Sequence, residues 1–187
     1  MKDADTDRKL SGAEKRALLR IARESIEAEL DGKKRPGPAG KGLLDEKRGA
    51  FVSLKKRGRL RGCIGFVEPR KPLAKTVEEM AVASAFQDPR FPPLRKDELQ
   101  DLRVEISVLT PLRRVVDADE IEVGVHGLYI RRGGRAGLLL PQVATEWRWD
   151  RDTFLEETCR KAGLAPAAWR DPETEIYLFA ADVFAEE

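Results

Sequence analysis

Apolar positions follow two different periods along this chain, and each period predicts a different kind of element. Leu18, Ile21, Ala22, Ser25 and Ile26 recur at helical spacing, Ser11 and Glu14 form a capping box ahead of them, and Gly32 ends the run, so a helix is predicted over 11–31. The segment 32–42, rich in Lys, Arg, Pro and Gly, reads as a mobile basic loop, and the main body runs from 43 to 187. Phe51-Val52-Ser53-Leu54 and Arg59-Leu60-Arg61-Gly62-Cys63-Ile64-Gly65-Phe66 then alternate with period two, as the strands of a hairpin. A three-residue loop, Lys56-Arg57-Gly58, pairs Leu54 with Leu60, Val52 with Gly62, Ser53 with Arg61 and Phe51 with Cys63. That register gathers Leu60, Gly62, Ile64 and Phe66 on one face and leaves Arg59, Arg61, Cys63 and Gly65 on the other. A two-residue loop would mix the faces.

Downstream, Pro72 opens a second helix with Leu73, Val77, Met80, Ala81 and Ser84 on one side, and Pro89 stops it. The Pro92-Pro93 pair stiffens the next loop, and a short helix fits Lys96 to Leu102. Val104, Ile106 and Val108 alternate with Arg103, Glu105 and Ser107 as a strand with one buried face. Val123 to Arg131 and Arg135 to Leu140 flank Gly133-Gly134 as a second hairpin; Asp150 caps a helix that Gly163 ends; Ile176 to Phe184 supplies a last strand. This order predicts an α+β fold: an antiparallel or mixed sheet with packed helices, in a single domain with a larger lobe and a smaller, helical one.

Composition narrows the function classes. Among 187 residues, 35 Lys and Arg oppose 33 Asp and Glu, a net charge of +2, which makes nucleic acid an unlikely general partner. The charge is unevenly placed: 13 basic and 4 acidic residues lie between Asp31 and Lys71, and 5 basic and 11 acidic between Leu140 and Glu187. No apolar run reaches the roughly 20 residues that span a bilayer, and the polar start Met1-Lys2-Asp3-Ala4-Asp5 is unlike a signal peptide. Two cysteines do not make a disulfide framework, so a cytoplasmic protein with reduced thiols is expected.

Cys63 is the leading chemical candidate. It stands between two glycines inside a strand, where bare backbone permits close approach, and its simple alternation puts Arg61 on the same face, where a guanidinium favours the thiolate. His126 is the one histidine, so a Cys/His pair must use it, with Glu105, Glu146 or Asp88 as a third member; Glu105, on the polar face of its strand, is preferred. Arg61 and Arg90, with Gly62 and Gly65, would build a pocket for a small anion. Cys159 falls on the inner face of its helix and reads as core. Trp147, Trp149 and Trp169 read as lobe-packing residues. No spacing suits a metal, and no cofactor motif is present.

Leu60-Arg61-Gly62-Cys63-Ile64-Gly65 resembles the signature hexapeptide of the AMMECR-type domain family, named for a human chromosomal region linked to Alport syndrome, midface hypoplasia and elliptocytosis. Asp88-Pro89-Arg90-Phe91-Pro92-Pro93-Leu94, Glu122-Val123-Gly124-Val125-His126-Gly127 and Leu140-Pro141-Gln142-Val143-Ala144 are similar to further stretches of that family, in the same order. The resemblance covers roughly Ala50 to Glu187 and implies one α+β fold. In some microbes it implies company with Memo-type and radical S-adenosylmethionine proteins, and it brings no established reaction. Two functions therefore stand open: a thiol-dependent enzyme acting on a small anionic substrate, with Cys63, His126 and Glu105 as its catalytic set, and a non-catalytic accessory module that binds a nucleotide or a protein.

Overall fold

The computed structural model describes residues 9–35, 37 and 42–187. Of the predicted basic loop over 32–42, residues 36 and 38–41 lie outside the described residues. In chain order the elements are α1 (Gly12–Leu30), β1 (Ala50–Lys56), β2 (Arg59–Phe66), α2 (Leu73–Phe86), β3 (Leu102–Leu109), β4 (Arg113–Arg114), β5 (Gly127–Arg132), β6 (Arg135–Leu139), α3 (Pro141–Glu146), α4 (Arg151–Lys161), β7 (Glu175–Phe179) and β8 (Ala181–Ala185), with short 3-10 turns between them. The fold is α+β, and the chain divides into two compact units, residues 1–109 with 182–187, and residues 110–181.

The first unit is a sheet in the order β2-β1-β3-β8 with two helices packed on one face. Ser11 caps α1 in the predicted capping box, its hydroxyl accepting from the Glu14 amide while Glu14 reaches back to the Ser11 amide. The stripe of α1 (Leu18, Ile21, Ala22, Ile26) packs with Ala50, Val52 and Leu54 of β1 and Val104, Ile106 and Val108 of β3 in one core. Helix α2 contacts α1, β1 and β2, which is why it is buried on most of its surface and carries so many small residues.

The β1–β2 hairpin departs from the predicted register. Its turn has two residues, Arg57 and Gly58, both with positive φ (49° and 77°), joining the pair Lys56↔Arg59. Faces do not mix, because a bulge intervenes: Lys55 pairs with Leu60 and Leu54 with Gly62, so Arg61 is the extra residue. Beyond the bulge, Val52 faces Ile64, Ser53 faces Cys63 and Phe51 faces Gly65. Leu60 loses its predicted place on the core face and is 44% exposed.

The second unit has its own antiparallel sheet, ordered β4-β7-β5-β6, so the smaller lobe is not simply helical as predicted. Leu128, Ile130 and Leu178 pack against Phe154, Leu155 and Cys159 of α4. Asp150 caps α4 through the Thr153 amide, as its position predicts. Gly133-Gly134 forms the predicted two-residue turn, but the first strand of that hairpin starts at Gly127 because 122–125 is coiled into a turn. The predicted last strand is two strands. It breaks at Ala180, whose amide and carbonyl both bond Thr110, so β7 belongs to the second sheet and β8 to the first. No helix among the described residues is long and apolar enough to cross a membrane.

Candidate functional site

The Cys63 segment is held at the edge of its sheet by three neighbours. On one side, Ser53 of β1 stands directly opposite, and its hydroxyl donates to Cys63 Sγ at 3.1 Å. Ser53 is paired in turn with Glu105 of β3, so Cys63, Ser53 and Glu105 form one cross-strand row. Glu105 thus lies two strands from the thiol, about 10 Å at the usual strand spacing, and its carboxylate takes Lys55 Nζ at 2.7 Å.

At the free edge of β2, Asp88 and Arg90 take the place of a neighbouring strand. The Cys63 amide donates to Asp88 Oδ2 at 2.9 Å, and Arg90 Nη2 donates to the Cys63 carbonyl at 3.3 Å. The clasp is closed on itself: Asp88 also accepts Arg90 Nη2 at 2.7 Å, Arg90 Nε at 2.9 Å and the Arg90 amide at 3.1 Å. Asp88 is only 4% exposed, and the Arg90 guanidinium beside it, aided by the two amides, holds its carboxyl far below the usual carboxylate range against the opposing effect of burial. Pro89 makes this geometry possible by stopping α2 and turning Asp88 back towards β2. An edge satisfied this way is closed to pairing with another strand.

The helix side of β2 is closed by α2. A Cβ on Gly62 would stand 2.0 Å from the Ser84 carbonyl oxygen. The Ser84 hydroxyl wedges between the strands, accepting from the Ile64 amide at 2.8 Å and donating to the Val52 carbonyl at 2.7 Å. A Cβ on Gly65 would stand 2.3 Å from the Phe51 ring. Both glycines flanking Cys63, predicted to make room for a ligand, make room for the protein's own helix and ring instead.

Arg61 also differs from the expectation. Carried out of the alternation by the bulge, it is 8% exposed and grips Glu98 with two bonds, Nε to Oε1 at 3.1 Å and Nη2 to Oε2 at 2.9 Å. Glu98 further accepts Lys56 Nζ and the Arg95 amide, and Arg61 together with these donors lowers its pKa to about 2. Arg61 and Arg90 both lie over the Phe91 ring, at 5.9 and 5.5 Å from its centroid. The basic surplus of the first half is largely spent in the same manner, Arg35 on Glu29, Arg48 on Glu46, Arg57 on Asp101 and Lys71 on Glu79.

Cys63, Ser53, Asp88, Arg90 and Glu105 are therefore gathered in the first unit. His126 belongs to the second unit, where its Nδ1 accepts from the Glu122 amide at 3.1 Å and closes the turn before β5. In that turn Gly124 has φ +89°, and Gly127 is pressed against the Phe179 ring. Cys159 is fully buried, and burial raises its thiol pKa. Trp149 and Trp169 pack on the core of the second unit, but Trp147 is 69% exposed and does not serve as packing. Ser53, Ser84 and Glu98 were not singled out from the sequence; only the Asp-Pro-x-Phe stretch carried a signal for the clasp. Among the described residues no group of three His, Cys, Asp or Glu side chains is placed to hold a metal.

The profile of the AMMECR1 family matches residues 19–184. A protein of Methanothermobacter thermautotrophicus is 50% identical over 95% of this chain and 97% of its own length. A protein of Methanopyrus kandleri is 48% identical over 96% of this chain and 91% of its own. The crystal structure of the uncharacterised protein PH0010 from Pyrococcus horikoshii superposes with a TM-score of 0.83 at 44% identity, covering 91% of this chain and 90% of that one. With the profile spanning nearly the whole chain and the solved fold agreeing, this chain belongs to the AMMECR1 family.

Proposed function

We propose that this chain is a binding module rather than a thiol enzyme, and that its Cys63 strand is a rigid recognition element for a partner protein. One observation carries the reading: the ionisable side chains singled out around the motif are committed to internal pairs. Asp88 serves the Cys63 amide and Arg90, Glu98 serves Arg61, Glu105 serves Lys55, and His126 Nδ1 serves the Glu122 amide. The thiol receives a hydrogen bond from Ser53, a hydroxyl and so a poor general base. A nucleophile would need a free base in reach, and Arg61 and Arg90 spend their Nε and Nη2 edges on Glu98 and Asp88, with Arg61 Nη1 left buried and without a partner. A cytoplasmic location accords with this role.

Memo-type and radical S-adenosylmethionine proteins, the company implied by the family, are the partners to test first. Each is titrated into the wild type and into Cys63→Ser by calorimetry. A binding module binds one of them and keeps its Kd within twofold when the thiol is removed. The reading is overturned if neither binds, or if a turnover appears that Cys63→Ser abolishes.

A further inference from the structure

His126 is the one histidine of the chain, and the fold uses it as a hydrogen-bond acceptor. Its Nδ1 lies 3.1 Å from the Glu122 amide nitrogen and takes that hydrogen. The Val125 and His126 amides close the same turn from within, both donating to the Glu122 carbonyl, at 3.2 and 3.0 Å. Residue 122 is thus tied to residue 126 twice, through its carbonyl and through its amide. Gly124 sits inside this ring with φ +89°, a conformation that glycine adopts at no steric cost. A protonation requirement follows from the bond to Nδ1. A neutral imidazole has one acceptor nitrogen and one donor, whereas an imidazolium has two donors and no acceptor. With Nδ1 accepting, the ring hydrogen sits on Nε2. A second proton, on Nδ1, would face the Glu122 N–H donor to donor across 3.1 Å.

Three elements lie against this stretch: α3 through Thr145 at Gly124, and β6 and β7 through the Leu139 carbonyl and the Phe179 ring at Gly127. Helix α3 carries Glu146, and Arg148 follows it. The ionisable residues of β6 and β7 are Arg135, Glu175 and Tyr177. Arg135 and Glu175 stand opposite Arg132 and Arg131, at the far end of β5, and Tyr177 bonds Arg131. Upstream, Asp119 and Glu120 are taken by Arg151 and Arg113, and the Arg113 guanidinium lowers the Glu120 pKa to about 2. Glu122 itself is exposed, and among the described residues His126 makes no ion pair, so no carboxylate holds a charged ring in place. Carboxyl groups ordinarily titrate near about 4, and arginine stays charged throughout. Imidazole is the side chain that ordinarily changes charge between about pH 5 and 8.

We propose that residues 122–126 form a pH-sensitive latch: neutral His126 closes the turn on the Glu122 amide, and protonation of Nδ1 opens it. The chain then loosens between the 3-10 turn at Ala118–Glu120 and the start of β5. The change is local. Gly124 loses its fixed seat against Thr145 of α3, while β5, paired on both sides with β6 and β7, stays in place. The inference is independent of the binding-module reading.

The test uses the full chain, labelled with nitrogen-15. A long-range proton–nitrogen spectrum of the imidazole reads which ring nitrogen carries hydrogen. Amide exchange, corrected for its intrinsic pH dependence, reads the Glu122 bond. At about pH 7.5 the hydrogen is expected on Nε2, with Nδ1 bare and the Glu122 amide protected. At about pH 5 that protection should fall about fivefold or more, in step with the ring's titration, while the β5 amides keep theirs. His126→Asn places a side-chain oxygen close to the position of Nδ1 and does not titrate, so it should stay protected at both pH values. His126→Ala should lack the protection at both. Hydrogen on Nδ1 at about pH 7.5 overturns the proposal, as does equal Glu122 protection of the wild type at both pH values. A fall that persists in His126→Asn also overturns it, by assigning the effect to the carboxylates. The wild-type comparison needs no substitution, so it remains decisive if a variant fails to fold.

Discussion

Replacing Gly62 by alanine adds one methyl group at the tightest point of the first unit. The new Cβ would stand 2.0 Å from the Ser84 carbonyl oxygen and 3.0 Å from its carbon. That is roughly 1.5 Å inside the separation of about 3.5 Å at which such atoms rest. The obstacle is helix backbone rather than the end of a flexible side chain, so α2 must move or β2 must tilt away. Overpacking of this kind costs about 1–3 kcal/mol on its own. A shift of that size also pulls the Ser84 hydroxyl from its bridge between Ile64 and Val52, two hydrogen bonds of about 1 kcal/mol each. The expected loss is therefore about 3 kcal/mol or more, which for a chain of this size lowers the melting temperature by roughly 6–12 °C. Urea unfolding at unchanged slope measures it. Gly134→Ala is the control, since nothing lies within 4 Å of a Cβ there, and should change stability by less than about 0.5 kcal/mol. A loss below about 1 kcal/mol in Gly62→Ala would refute the claim that Gly62 is retained for helix packing.

Two further outcomes follow from the paired carboxylates. Asp88→Asn keeps the shape of the clasp but removes its charge and sets an amide against the donors of Cys63 and Arg90; because Arg90 is itself half exposed, the cost should fall near 2 kcal/mol by urea unfolding, short of the about 3–5 kcal/mol of a fully buried pair. Acid should destabilise the wild type, since a depressed folded pKa gives stability that is complete above the unfolded value and lost as pH falls: for Glu98, between its ordinary 4.5 and about 2. Glu98→Gln should flatten the fall in melting temperature across that window.

Legibility in the sequence followed locality. Helix α1 was readable because its stripe, its capping box and Gly32 agree, and each acts within a few residues. The α4 cap and the Gly133-Gly134 turn were readable for the same reason. The β2 register was not, because its bulge depends on Arg61 finding Glu98, 37 residues away, and on Ser84 wedging between strands. The apolar run from Ile176 to Phe184 continues straight through Ala180, yet the chain changes sheets there through bonds to Thr110, 70 residues distant. At the candidate site the fold gathers several of the residues marked in the sequence around Cys63, in pairings that local reading does not show. Glycines beside a cysteine look like space for a ligand until a helix backbone is found in that space, and an arginine two residues from a thiol looks like its partner until a glutamate claims it.

The account's central claim is that the Cys63 thiol is structural, not nucleophilic. The direct measurement is the rate at which native protein is alkylated by iodoacetamide at neutral pH, followed by mass spectrometry at each cysteine and compared with glutathione. Half-buried Cys63 should react no faster than glutathione, and fully buried Cys159 should stay unmodified until the protein unfolds. A Cys63 rate at least tenfold above that of glutathione would contradict the account and restore the thiol enzyme.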